Sequence, residues 1–268
     1  MKSHLVIPII ALLLGTSFGI EGSLPLGVEP VCTAEESFLL LPENTSESGE
    51  SYSAKRSVKI VEAHMNLAPF TSIQSDVVAT INYYPSDRHR IEAQGPEHVI
   101  SAVNARVDNG VLRITTKNRI RLRRGERLVL TIYGQELSAI RNDGVGNFKC
   151  SDVLKTDNMK IVNSGVGNIT LENLQCDDLV VKNEGVGNIT LKGETATATY
   201  TSDGVGSIYA YELLSQDTTV KLNGVGSVQC HASERCDYTS NGVGNILYKG
   251  RPEVQKIHKN GVGSISPR

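Results

Sequence analysis

The sequence predicts an all-β protein: a right-handed parallel β-helix, or solenoid, of about 20 residues per coil, preceded by a strand- and hairpin-rich opening part. Three observations carry this expectation. The tripeptide Gly-Val-Gly begins at Gly144, Gly165, Gly185, Gly204, Gly224, Gly242 and Gly261, at intervals of 21, 20, 19, 20, 18 and 19 residues. Apolar residues recur at fixed offsets on both sides of it. No helical periodicity separates the copies, and about 20 residues cannot hold the paired helices of helical solenoids.

The offsets give the period. Four residues before the first glycine stand Ile140, Ile161, Val181, Tyr200, Val220, Tyr238 and Ile257; four residues after it stand Phe148, Ile169, Ile189, Ile208, Val228, Ile246 and Ile265. Their neighbours, such as Arg141, Lys182 and Thr201 or Lys149, Thr170 and Gln229, are mostly polar. Alternation of this kind marks a strand with one buried face. Both columns, and with them the invariant Val145, Val166, Val186, Val205, Val225, Val243 and Val262, are expected to line the interior. The glycines supply positive φ and a sharp corner between the strand that enters and the strand that leaves. A leucine-rich repeat would need a Leu-x-x-Leu-x-Leu series, which the unit lacks. Stacked about 4.8 Å apart, seven coils form a rod on the order of 30 Å long, and parallel crossovers are right-handed.

Along the chain, residues 1–19 resemble a secretory signal: Lys2, an apolar run from Leu5 to Leu14, then Ser17 and Gly19 for cleavage. The run is too short to span a bilayer, and no other segment of the chain is long and apolar enough to span one. Residues 20–57 read as an acidic flexible spacer, with Glu29, Glu35, Glu36, Glu43, Glu47 and Glu50 and no Lys or Arg before Lys55. Within it Phe38, Leu39, Leu40 and Leu41 are apolar and suited to docking on an end of the rod. Residues 58–140 are strand-rich, with runs at Val77–Tyr83 and Val129–Tyr133 and an Asn109-Gly110 pair that favours a type I′ hairpin. They are expected to open the sheet system and cap its first coil, and 141–268 to hold the seven repeats.

Composition narrows function. A formal net charge of −2 gives no field that points to nucleic acid or membrane, and 5% aromatic residues without Trp argue against a base- or sugar-stacking platform. The local exception is basic: Arg113, Lys117, Arg119, Arg121, Arg123, Arg124 and Arg127, opposed by Glu126. Of these, Arg119, Arg121, Arg123 and Arg124 form a candidate patch for an anionic ligand; the alternative is a charged face that protects an edge strand. Cys150 and Cys230 share an inward phase and read as small core residues, whereas Cys230 and Cys236 are either free thiols or a disulfide across one corner.

No catalytic carboxylate pair repeats at one outward phase, and the six histidines are scattered. The polar residues flanking the glycines (Asp143, Ser164, Glu184, Asp203, Asn223, Asn241 and Asn260 before; Asn147, Asn168, Asn188, Ser207, Ser227, Asn245 and Ser264 after) are expected to form an internal hydrogen-bonded ladder along the corner rather than a calcium site. No cofactor is implied.

The segment Val107-Asp108-Asn109-Gly110-Val111-Leu112-Arg113-Ile114 followed by phased Gly-x-Gly-[Asn/Ser]-Ile units resembles the head GIN domain family, a family named for auto-transporter adhesins. The resemblance covers about Ile60 to Ser266. It implies a β-helix exported to the cell envelope, the surface or the medium, and no catalytic residue. The expected function is a non-enzymatic binding or scaffold protein, an adhesin, with a glycan or a surface protein as partner and oligomerisation through the solenoid ends. The alternative is a polysaccharide-active β-helix enzyme of the pectate-lyase kind.

Overall fold

The structure, a computed structural model, describes residues 60–117 and 122–268. Its elements, in chain order, are strands β1 (Ile60–Asn66), β2 (Ser72–Ser75), β3 (Val78–Pro85) and β4 (Arg90–Pro96) and the short helix α1 (Glu97–Ile100). Then come β5 (Val103–Asp108), β6 (Val111–Thr116), β7 (Val129–Gly134), β8 (Ala139–Asn142), β9 (Val145–Lys155), β10 (Asn158–Asn163), β11 (Ile169–Asn183), β12 (Ile189–Ser202) and β13 (Ile208–Leu222). The last are β14 (Val228–His231), β15 (Arg235–Ser240), β16 (Ile246–Lys249), β17 (Val254–Lys259) and β18 (Ile265–Pro267).

From β8 onward every pairing is parallel and joins equivalent residues of successive coils. One face is built from strands entering the Gly-Val-Gly corner, where Ile161 lies beside Ile140 and Val181, and Tyr200 beside Val220. The other is built from strands leaving it, where Ile169 lies beside Phe148 and Ile189. The two columns four residues from the glycine meet in the core: Ile161, Val181, Tyr200, Val220 and Tyr238 from one face, and Ile169, Ile189, Ile208, Val228 and Ile246 from the other, are fully buried. Burial of one such side chain contributes about 1.5–3 kcal/mol.

The opening part adds two more layers in an order that differs from the chain order. β2 and β3 form a coil of their own, stacked in parallel on β8 and β9. β6 and β7 stack on its other side. The β5–β6 hairpin turns at Asn109 (φ 49°) and Gly110 (φ 76°), as the Asn-Gly pair predicts. β4 and β1 continue the sheet antiparallel beyond β7, and α1 buries Val99 and Ile100 over the core. This end of the solenoid is therefore covered. The other ends on β17, whose six residues are all exposed, and on β18.

Two expectations about the apolar columns are overturned, the smaller being that Ile257 on β17, expected in the interior with its column, is 43% exposed. The invariant valines do not line the interior: Val145, Val166, Val186, Val205, Val225 and Val243 are 46–52% exposed, and Val262 on the last coil is 70% exposed. The reason is parity. Residues −4, −2, 0, +2 and +4 relative to the first glycine point inward, so a side chain at +1 points out. The valines still connect the coils, through main-chain bridges from Val145 to Val166 and onward to Val262. With Val78, which pairs with Val145, they form one straight exposed apolar strip.

The inward phase of the corner belongs to the glycines, because there is no room for anything else. A Cβ on Gly165 would stand 2.0 Å from the carbonyl oxygen of Gly144, and one on Gly167, at φ 145°, 1.7 Å from that of Gly146. Each coil's corner rests directly on the backbone of the coil before it.

Two positions inward of the entering strand, polar residues are buried. The amide of Asn142 donates to Oδ1 of Asn163 (2.9 Å), Asn163 donates to Oδ1 of Asn183 (3.0 Å), and Asn183 donates to the carbonyl of Gly187 (3.0 Å). Stacked identical amides satisfy one another along the axis, which is how the interior tolerates them.

Candidate functional site

The corner residues form two ladders, but on the outside and not in the interior, because their odd offsets from the first glycine point them to solvent. On one side of the valine strip, Ser164 donates to Glu184 (2.9 Å), Asn223 to Asp203 (2.7 Å), Asn241 to Asn223 (3.0 Å) and Asn260 to Asn241 (3.1 Å). On the other, Oδ1 of Asn147 accepts from the main-chain N–H of Asn168, Asn168 accepts in turn from Asn188, and Asn188 from Ser207. The ladders use up the polar heads in holding coils in register. Among the described residues no group of three or more His, Cys, Asp and Glu is placed to hold a metal ion.

A concave surface lies at the opposite corner, where each coil turns from the leaving strand toward the next entering strand. A groove of about 660 Å³ crosses successive coils there, and Lys155–Asp157, Gln175–Asp177, Glu194–Ala196 and Leu214–Gln216 contribute in turn, with His231 and Ser233 at one end. The turns are fixed from beneath. Main-chain N–H groups of Asp177 and Asp178 donate to the carbonyl of Asp157 (2.9 and 3.0 Å), and the Thr195 hydroxyl bonds the carbonyls of Asp177 and Thr197 (3.0 and 2.9 Å). Ser215 and Thr218 hydroxyls both bond the carbonyl of His231. Ser215 thus spends its proton on a main-chain oxygen, and His231 Nδ1 faces the main chain of Ser215 (3.2 Å to its oxygen), so the two do not form a nucleophile and base. The groove offers carboxylates, amides and Leu214, which is 56% exposed, along an axial line.

Of the basic stretch, Arg119 and Arg121 lie outside the described residues. Arg123 and Arg124 are exposed, in the segment joining β6 to β7. By register, this segment stands where later coils have Gly-Val-Gly. Glu126 is turned inward, its side chain 3% exposed, and accepts the main-chain N–H of Arg123 (2.8 Å) with His98 Nε2 at 3.6 Å. Arg113 is held elsewhere, bonding Gln74, which in turn donates to Asp143 (2.9 Å). The signal and spacer assigned to residues 1–57, with Cys32, also fall outside the described residues.

Cys150, Cys176, Cys230 and Cys236 are free thiols. The disulfide considered for Cys230 and Cys236 is absent: Cys230 Sγ instead lies 3.6 Å from the Tyr238 hydroxyl in the core. Burial pushes the Cys150 thiol up to about 11 and that of Cys230 to about 12, so neither is a nucleophile at neutral pH. Cys176, at the groove, is also raised by burial and bonds Thr195 Oγ1 (3.5 Å). Among the described residues no helix is long and apolar enough to cross a membrane.

This geometry has known counterparts. Residues 69–252 match the family model described as "Putative auto-transporter adhesin, head GIN domain". The crystal structure of a putative adhesin from Bacteroides fragilis is 31% identical, covering 79% of this chain and 98% of that one, with a TM-score of 0.77. One from Parabacteroides merdae, also named a putative adhesin, is 25% identical over 78% of this chain and 97% of its own, with a TM-score of 0.61. A Parabacteroides distasonis structure named a putative lipid binding protein shares the fold at 20% identity, covering 78% and 98%, with a TM-score of 0.62. No curated protein matches the chain. With the phased glycine corners, the capped opening coils and a family match over more than two thirds of its length, the chain belongs to the head GIN domain family.

Proposed function

We propose that the protein is an exported, non-enzymatic binding or scaffold protein of the adhesin kind, and that it holds an extended glycan in the axial groove at the second corner. The groove carries the reading: it runs across the coils rather than ending in a pocket, and each coil adds carboxylate, amide or hydroxyl groups to it. The adhesin names of the family and of the Bacteroides fragilis structure support the same class.

A glycan array read alongside a depolymerisation assay tests it. The protein captures a polysaccharide without releasing reducing or unsaturated ends, and Ala196→Trp, which fills the middle of the groove, weakens capture at least tenfold with an unchanged melting temperature. Release of such ends would instead establish an enzyme of the pectate-lyase kind. Capture indifferent to Ala196→Trp would move the site off the groove. The Arg119, Arg121, Arg123 and Arg124 patch enters the same assay as a second region, favoured by the exposure of Arg123 and Arg124. Capture that is confined to acidic glycans and lost on reversing Arg119, Arg121 and Arg123 to Glu assigns binding there.

A further inference from the structure

The two ends of the solenoid differ. The opening end is covered by β4, β1 and α1. Among the described residues the final coil has no such cover: β17 pairs on one side with β15, β18 pairs on one side with β16, and no described strand pairs with their outer edges. Val254 and Ile257 are 52% and 43% exposed. An open, partly apolar strand edge accepts a further strand.

The charges of this end select the occupant. Arg251, Lys256, Lys259 and Arg268 stand there against Glu253 and against Asp237 of β15, which lies beside Lys256. Lys259 occupies the inward column that holds Asn183, Ser202 and Ser240 in earlier coils. An inward cation on the last coil opposes stacking of two like ends, since each would bring the same charges together. It suits an acidic strand with an apolar face. Outside the described residues the sequence holds an acidic segment with an apolar run: Glu35-Glu36-Ser37-Phe38-Leu39-Leu40-Leu41-Pro42-Glu43. The six residues Glu36–Leu41, apolar over the last four, match the six-residue β17 in length, Glu35 and Glu43 stand on either side of them, and Pro42 stops further pairing.

Reach decides between the same copy and a second one. Leu41 is separated by 18 residues from Ile60, where β1 begins at the covered end. Across β1, β4, β7, β3, β9, β11, β12, β13, β14, β16 and β18, at about 4.8 Å per strand, the open end lies roughly 48 Å away. A chain of 18 residues spans at most about 60 Å fully extended, and about 23 Å on average when relaxed. Reaching its own far end would stretch the tether close to its limit. The open end of a copy placed ahead of it needs no stretching.

We propose that residues Glu35–Glu43 of one copy add a strand to the open β17 edge of the next, so that the protein assembles head to tail. The contact is heterologous and does not close on itself, so it propagates into chains.

The test is molar mass against concentration, by light scattering and sedimentation, on the full chain without the leader expected at 1–19. Three forms are compared: native, a tail variant (Phe38→Asp with Leu40→Asp) and an end variant (Lys256→Glu with Lys259→Glu). Circular dichroism confirms that both variants fold. The native protein grows in mass with concentration and shrinks toward monomer at 1 M salt, where screening falls to about 3 Å. Each variant alone stays monomeric. Mixed, they form a one-to-one dimer and nothing larger, because each supplies the part the other lacks. A native protein that stays monomeric throughout, or assembly that survives in the tail variant, would overturn the proposal. So would variants that remain monomeric when mixed, which is the outcome of docking within one copy.

Discussion

Gly206→Ala lowers stability by more than about 4 kcal/mol, a fall of roughly 8–16 °C in melting temperature for a chain of this size. Gly206 sits at φ 137°, a region that essentially only glycine occupies, and a Cβ there would stand 2.1 Å from the carbonyl oxygen of Gly187 and 2.7 Å from its carbonyl carbon. Neither atom can yield, since the main chain of Gly187 is held between coils by its own bond to Val205 (2.9 Å). The corner would have to lift, breaking the bridge between Val205 and Val225 on the same strip. Val205→Ala, one residue away on the exposed side, changes stability by less than about 0.5 kcal/mol. Thermal melts of the two variants check this; a Gly206→Ala protein that melts with the native one would mean that the coils are not stacked this closely.

Asn163→Leu costs about 2–5 kcal/mol, although leucine is close to asparagine in size and the site is fully buried. The loss arises on both neighbours, because Asn142 loses its acceptor and Asn183 its donor, each inside the core. If that is the cause, replacing Asn142, Asn163 and Asn183 together by leucine restores most of the stability, since the Gly187 carbonyl, which accepts from Asn183, is then the one group of the ladder left without its partner. The same column already holds a buried Leu222 between Ser202 and Ser240. Denaturant melts of the single and triple variants separate this account from simple loss of packing, in which the triple variant would be the worse of the two.

Much of this architecture was legible because repetition makes period-two patterning visible. The columns around Ile169 and Ile161 lie in the core, and Asn109-Gly110 turns as its residue types dictate. The valine strip was misread because invariant apolarity suggested burial, while its odd offset from the isoleucine columns already pointed outward. The Asn142–Asn163–Asn183 ladder was hidden for the converse reason: polar residues in an inward column look exposed until stacking pairs them with one another. The coil of β2 and β3 escaped notice because it has Val77, Val78 and Ala79 where later coils have Gly-Val-Gly. Crowding shows on the coil above it, where a Cβ on Gly144 would meet the Val77 carbonyl oxygen at 2.2 Å. The groove left no signal, because irregular register at Leu171–Leu174 and Thr190–Lys192 prevents its residues from lining up in a column.

The central claim, that one apolar column faces water while another fills the core, is tested most directly by a pair of substitutions on neighbouring positions of one coil. Val186→Thr should leave the unfolding free energy within about 0.5 kcal/mol of native, and Ile189→Thr should lower it by about 2–4 kcal/mol, since only the second puts a hydroxyl into the interior. Equal losses from the two, or a larger loss at Val186, would contradict the arrangement of strip and core described above.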